Sequence, residues 1–240
     1  MNLFAEAFAW LTSEELANSS LPLGEAFGQH LYFSFVTVLI AALIAVPAGY
    51  LIGHTGKGRE IAVGITGAAR ALPSFGLILL LVLVLGVTRS ELGAFIAFVL
   101  LAIPSILAGA YAGVEAVDRR TVDAARAVGM TEWQILVKVE APLGLPLLVG
   151  GLRSAVLQVV ATVTLAGYVN LGGLGYYIIQ GVPLGRFDQI LGGAVLVIAL
   201  ALVLDGLFGL LARVVEPQGL ASRTQRRRAD PATAETTASA

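Results

Sequence analysis

About five times along its 240 residues the chain sustains an apolar run of roughly the twenty residues an α-helix needs to cross a bilayer core. This recurrence limits the fold more than any single residue does. The runs are about Gln29–Ile52, Ile61–Val87, Leu92–Gly113, Leu143–Tyr168 and Gln189–Val214. In lipid, a spanning segment has to satisfy its own backbone N–H and C=O groups. Each run therefore reads as a helix, and the chain as an all-α polytopic membrane protein with about five spans. Charged residues make up 13% of the chain, against about 25% in soluble domains, and the mean hydropathy is +0.86. Pro47, Pro73 and Pro104 fall inside runs and predict kinks or breaks there.

The flanks set the domain limits. Residues 1–28 form an extracytoplasmic N-terminal segment, 29–214 the membrane domain, and 215–240 a cytoplasmic tail that is poor in apolar residues and reads as disordered. The N-terminal segment holds Glu6, Glu14, Glu15 and Glu25 but no Lys or Arg, unlike a secretory signal. Two readings of it stand side by side. Phe4, Phe8 and Leu11, with Trp10 beside them, form one side of an interfacial helix, or the segment is a loosely ordered end. Basic residues near the span ends give the orientation. With the N-terminus outside, Lys57, Arg59, Arg119, Arg120, Arg126, Lys138, Arg223, Arg226, Arg227 and Arg228 fall inside, and Arg89 and Arg186 outside. The C-terminus is then cytoplasmic, in a bacterial plasma membrane.

Several chemistries are excluded. With no cysteine, the chain has no disulfide or thiolate metal site, and its only two histidines, His30 and His54, lie at opposite ends of one span. A phosphate-binding glycine loop ends in Gly-Lys-Ser/Thr, whereas Lys57 is followed by Gly58 and Lys138 lies in an apolar run. No catalytic triad or carboxylate pair stands out, and no cofactor or metal is expected. A net charge of -1 without a basic domain argues against nucleic acid as a partner.

One polar stretch stands apart, Asp118–Pro146, reading DRRTVDAARAVGMTEWQILVKVEAPLGLP. It reads as two short helices joined by a turn. Val122, Ala125 and Val128 lie near one side of the first, and Gly129 ends it through a left-handed conformation. Thr131-Glu132-Trp133-Gln134 matches a capping box that starts the second. Trp133, Leu136 and Val137 follow at the spacing of one apolar face, and Pro142 and Pro146 mark where this helix gives way to the next span. Such a knuckle at the membrane surface is a docking device.

DAARAVGMTEWQILVKVEAP resembles the EAA loop of ABC-importer permeases, a pattern of Glu-Ala-Ala, three residues, Gly, nine residues, then Ile-x-Leu-Pro. Asp123 stands for the Glu, Ala124, Ala125 and Gly129 match, and Val139, Glu140, Ala141 and Pro142 close the pattern. Asp shortens the acidic reach and Ala141 trims an apolar contact. ALPSFGLILLL, GAYAGVEAVDRRTVDAARAVGM and LAGYVNLGGLGYYIIQG are similar to permeases for glycine betaine, carnitine, choline and related osmoprotectants, and the likeness covers about Gly28–Val214. The resemblance implies a MetI-like fold and a type I importer. Asp123, Ala124, Ala125, Gly129 and Trp133 would then dock a cytoplasmic ABC ATPase dimer, which hydrolyses ATP on its own chains. An extracytoplasmic substrate-binding protein would deliver the solute. One knuckle per chain implies a second permease subunit, identical or similar. Two other readings stay open: an importer of another small polar solute such as methionine or another amino acid, and a non-transporting scaffold for a cytoplasmic partner.

The remaining candidates carry two readings each. Trp133 is a docking residue or an interfacial anchor. Pro73, Ser74 and Phe75 break a span and form part of a translocation path or gate, or simply a kink. Arg70 and Arg153 read as snorkelling to the surface, and Asp205 as a packing or dimer contact first and a path residue second. Gly172, Gly173, Gly175 and Tyr176 read as a contact on the outer face, or as a flexible turn.

Overall fold

The structure, a computed structural model, describes residues 2–215, and the side chains of all these except Ile65, Ala69 and Arg70. The expected tail lies, from Glu216 on, outside the described residues, as does the expected snorkelling of Arg70. In chain order the helices are α1 (Leu3–Leu11), α2 (Glu14–Ala17), α3 (Leu23–Thr55), α4 (Arg59–Ala71), α5 (Ser74–Leu85), α6 (Ser90–Glu115), α7 (Arg119–Ala127), α8 (Glu132–Ile135), α9 (Ala141–Val163), α10 (Gly175–Leu184) and α11 (Phe187–Val215). A 3-10 turn precedes α6 and another, Thr164–Val169, follows α9. Among the described residues there is no strand.

Four continuous helical stretches are long and apolar enough to cross a membrane: Leu23–Thr55, Val87–Glu115, Glu132–Val169 and Phe187–Val215. The second expected span is built from two shorter helices, α4 and the apolar α5, because Pro73 has an extended ψ of 107° and caps α5 instead of continuing α4. The first span begins at Leu23, ahead of the expected Gln29. Pro47, Pro104 and Pro146 stay within their helices.

The core is a bundle of α3, α6 and α9. It is held by close backbone approach, since apolar burial gives spans little driving force in lipid and packing contacts decide association. A Cβ added to Gly109 would lie 2.8 Å from the Cα of Gly151, and one added to Gly113 would lie 2.5 Å from the carbonyl oxygen of Gly144. The GxxxG pair of α6 thus fits into two glycines of α9. Phe98, Ile106, Val156, Val159 and Val160 fill the space along this contact.

The N-terminal segment is a docked helix pair. In α1, Ala7 and Trp10 are buried while Phe4 and Phe8 point outward. Trp10 sits edge-on to Tyr177 at 5.5 Å, and Gly192 of α11 leaves room for its ring. Arg186 clasps Glu15 at 2.8 and 2.9 Å, and Tyr177 donates to the carbonyl of Leu21 at 2.8 Å. The segment is thus an ordered helix rather than a loose end, with Phe4 and Phe8 exposed, Leu11 half-buried and Trp10 packed inward. The elements fall into two poles. One gathers α1, α2, the start of α3 and α10. The other gathers the ends of α3 and α6 with the polar knuckle.

Candidate docking knuckle and its ties to the spans

The knuckle is built by local signals. Asp118 accepts from the Arg120 amide at 2.9 Å and starts α7. At the other end Gly129 takes φ +86°, its N–H donates to Arg126 at 2.9 Å, and Met130 donates back to Ala125 at 3.1 Å. This paired return is a Schellman ending, which satisfies carbonyls that the helix end leaves open. Thr131 and Gln134 then cap α8 reciprocally: the Gln134 amide donates to Thr131 Oγ1 at 3.3 Å, and Thr131 N–H donates to Gln134 Oε1 at 3.0 Å. Val122, Ala125 and Ile135 close a small apolar core with Val117, Met130 and Val139 around it.

The expected side of α7 is two-thirds right. Val122 and Ala125 are buried, but Val128, in the turn itself, is 79% exposed. Ala125 therefore faces inward and holds the two helices together, whereas Asp123, Ala124, Gly129 and Trp133 all face out. Trp133, Leu136 and Val137 do share a face, which lines an apolar cavity of about 280 Å3 against Val46, Pro47, Tyr50 and Leu51 of α3.

The second helix does not give way at Pro142. It runs on into α9 through a π turn, Leu136–Glu140, in which Ala141 donates to Leu136. Proline lacks an N–H and its ring crowds the carbonyl four residues back, so the helix widens by one residue just before Pro142 instead of stopping. Wide turns of this kind concentrate at functional sites.

That turn carries Glu140, which the sequence pattern included among its closing residues without giving it a role. Glu140 is only 6% exposed, and its Oε2 lies 2.5 Å from Nδ1 of His54 in the last turn of α3. The other ring nitrogen of His54 lies 3.2 Å from Oε2 of Glu132. Glu132 in turn accepts two bonds from Arg126, at 2.8 and 2.9 Å, and Arg126 reaches Asp123 at 3.2 Å. The hydrogen bond to Glu132 holds the Arg126 guanidinium above its ordinary range. A chain of polar contacts thus runs from exposed Asp123 through Arg126, Glu132 and His54 to buried Glu140. The sequence signal for it was a buried polar side chain beside a proline in an otherwise apolar helix.

The opposite pole is tied differently. His30, fully buried, accepts from the Leu174 amide on Nδ1 at 3.3 Å and places Nε2 3.1 Å from the carbonyl of Val160. Gln29 accepts from Gly173 N–H at 3.0 Å. Gly173 and Gly175 are buried, and a side chain on Gly175 would run into the carbonyl of Thr164. These two glycines therefore serve close packing inside the chain and offer no outer contact surface, contrary to expectation. Gly172 and Tyr176 are half-buried, and the Tyr176 hydroxyl pairs with Ser20 at 2.5 Å.

Within the spans, Arg153 forms a two-point ion pair with Asp205, 2.6 Å at each contact, joining α9 to α11. This replaces the expected snorkelling of Arg153. It makes Asp205 a packing contact within one chain, not a lone group on a path. Pro73, Ser74 and Phe75 do lie at the α4–α5 break, where the Phe75 ring packs on Tyr168 with centroids 4.8 Å apart. Both rings remain open to the surroundings, at 37% and 52%.

Residues 25–218 match the family model for the binding-protein-dependent transport system inner membrane component. The chain is 35% identical over 192 residues to the carnitine transport permease protein OpuCB of Listeria monocytogenes, covering 80% of this chain and 87% of that protein. It is 32% identical over 193 residues to the glycine betaine/carnitine/choline transport system permease protein OpuCB of Bacillus subtilis, covering 80% and 88%. Among solved structures it is similar to the inward-facing MetNI methionine ABC transporter, with a TM-score of 0.70 and 23% identity over 79% of this chain and 94% of that one. This last likeness bears on the fold.

Proposed function

The chain belongs to the family of binding-protein-dependent transport system inner membrane components, and on that premise we propose that it imports trimethylammonium osmoprotectants such as glycine betaine, choline or carnitine. Its role as the transmembrane permease subunit of an ABC importer follows from the family, as does work alongside an ATPase and a substrate-binding protein. The solute class is supported by the two OpuCB relatives, whose names specify those compounds.

The observation that carries the docking role is the two-sided build of the knuckle. Its inner side is capped and packed, while Asp123, Ala124, Gly129 and Trp133 stand outward; inside the chain Asp123 meets Arg126, Gly129 closes the turn and Trp133 borders the cavity against α3. In our reading these four meet the cytoplasmic ATPase, small Ala124 and Gly129 allow its close approach, and Ala125 keeps the knuckle rigid. The knuckle pole is cytoplasmic and the N-terminus outside, which also puts Lys57, Arg59, Arg119, Arg120 and Lys138 inside. Two such subunits, identical or similar, serve one ATPase dimer. The α4–α5 break with Phe75 and Tyr168 lies along the path between them, where exposed aromatic faces favour a quaternary ammonium group.

The test is uptake of labelled glycine betaine in cells lacking other betaine importers, with this permease and its partners supplied and with unlabelled choline, carnitine, proline and methionine as competitors. Betaine uptake that disappears on Gly129→Pro at normal membrane levels supports solute and docking together. Uptake only of another solute in the panel discards the solute class. No uptake of any of them, with all partners present, favours a scaffold.

A further inference from the structure

Among the described residues, the polar tie between the first span and the knuckle is made by His54. We propose that His54 is the positioning residue through which movement of the docked knuckle is passed to the first span, and that its bond to Glu140 latches the π turn of the second knuckle helix. The proposal rests on the reading that the ATPase docks on the knuckle.

Position is the first argument. His54 is the penultimate residue of α3, and α3 runs the whole depth of the protein to the loop that Gln29 and His30 hold. A pull on His54 therefore acts on one continuous helix, with Pro47 inside it, whose far end is tied to the opposite pole. Among the described hydrogen bonds and ion pairs, no other side chain of α3 joins the knuckle.

The second argument is donor and acceptor accounting. Ionised carboxylates only accept, so the ring fills its contacts to Glu140 at 2.5 Å and Glu132 at 3.2 Å when both nitrogens carry a hydrogen. One side chain then bridges the start of α8 and the end of the π turn. The chain of polar contacts continues through Arg126 to Asp123 on the exposed face.

Helical geometry supplies the third argument. The π turn holds one residue more than an α turn. Rewinding it would rotate Glu140 by about 100°, the angular step of one residue, and carry its carboxylate away from His54. The His54–Glu140 bond thus belongs to one of two windings of the same segment, which is the kind of discrete element through which small displacements are passed on. Space for the shift exists: a cavity of about 210 Å3 lies beside the ring, bordered by Arg119 and by Arg59 and Glu115, which pair with each other at 2.8 Å. These, with Asp123 and Arg126, are the charged groups that surround the clasp.

The native chain has no cysteine, so a single reporter is unique within the permease, and the partners are used as cysteine-free variants. The experiment uses the full permease with its ATPase and binding protein in liposomes, carrying either Ala127→Cys at the exposed end of α7 or Gly28→Cys in the first turns of α3, where a side chain meets nothing within 4 Å. Thiol reactivity is followed with and without trapped nucleotide. In the native background both reporters change. In His54→Gln the Ala127 reporter still changes, while the response at Gly28 falls by about tenfold, a typical strength for coupling between sites. His54→Arg, which supplies donors to both carboxylates, restores it. Glu132→Gln, at an exposed position, weakens the response by an intermediate amount and covers the case in which His54→Gln does not fold. An undiminished Gly28 response in His54→Gln or Glu132→Gln, or no rescue by His54→Arg, overturns the proposal. A native knuckle reporter blind to nucleotide instead overturns the docking reading beneath it.

Discussion

The two histidines sit at opposite ends of the same helix, yet they are held by different physics. His30 is locked to backbone groups, the Leu174 amide and the Val160 carbonyl, in a pocket closed to solvent. His54 is held by side-chain carboxylates, one buried and one 57% exposed. Backbone partners cannot leave without unfolding their own segment. Ion-paired side chains can separate, change rotamer and re-form. The contrast makes the His30 pole, outer in the proposed orientation, a unit that follows α3 as one piece, and the knuckle pole the end whose ties can part and re-form.

The largest break in this contrast would come from Gly175→Ala. Its added methyl meets the Thr164 carbonyl, which is backbone and cannot swing aside. We expect a loss on the order of 4 kcal/mol, seen as low membrane levels and no folded protein on size-exclusion in detergent. The counterpart at the knuckle is Gly129→Ala. Nothing lies near its added methyl, and the cost is the left-handed φ of +86° alone, about 1 kcal/mol. If thermal unfolding in detergent ranks these two equally, the outer pole is not the more tightly packed end.

His30→Leu comes next. It keeps the bulk and strands the Leu174 N–H away from water, while the Val160 carbonyl keeps the Thr164 hydroxyl at 3.4 Å. With an unsatisfied buried group costing about 1–3 kcal/mol, the expected loss is about 2 kcal/mol, read as a lower midpoint of unfolding. An unchanged midpoint would mean that the outer anchor draws nothing from its histidine. His54→Arg sharpens the other side of the comparison, since donors to both carboxylates are supplied and the melt should stay within about 1 kcal/mol of native.

What the sequence made legible follows the range of the interactions. The spans were readable because membrane length and apolarity are local sums. So was the knuckle's turn, because Gly129 and the Thr131–Gln134 box act within a few residues. The ties between elements were not. His54 and Glu140 are 86 residues apart, and His30 and Leu174 are 144 apart, and nothing in the single sequence pairs them. Glycines misled for the same reason. Gly173 and Gly175 look like a turn on the surface, but their small size serves backbone contacts with distant segments. Pro142 misled in the other direction, because a helix supported by packing on both sides widened into a π turn where an isolated one would have stopped.

The smallest expected effect tests whether the anchor at the outer pole owes anything to charge. Glu15 and Arg186 tie the N-terminal helices to the start of α11, and the hydrogen bond from Arg186 holds the Glu15 carboxyl below the usual carboxylate range. A carboxyl whose pKa is lowered by folding adds stability above its unfolded-state value, and that contribution is lost as pH falls through the lowered folded value. Glu15 is 55% exposed, so solvent screens the pair and the gain is no more than about 0.5 kcal/mol. Glu15→Gln should therefore lower the melting point slightly at neutral pH and match the native protein in acid, where the native carboxyl is itself protonated. A gap between the two that persists unchanged into acid would assign the tie to packing of Trp10 against Tyr177 and Gly192. Both poles would then differ in their partners but not in the role of charge at the outer one.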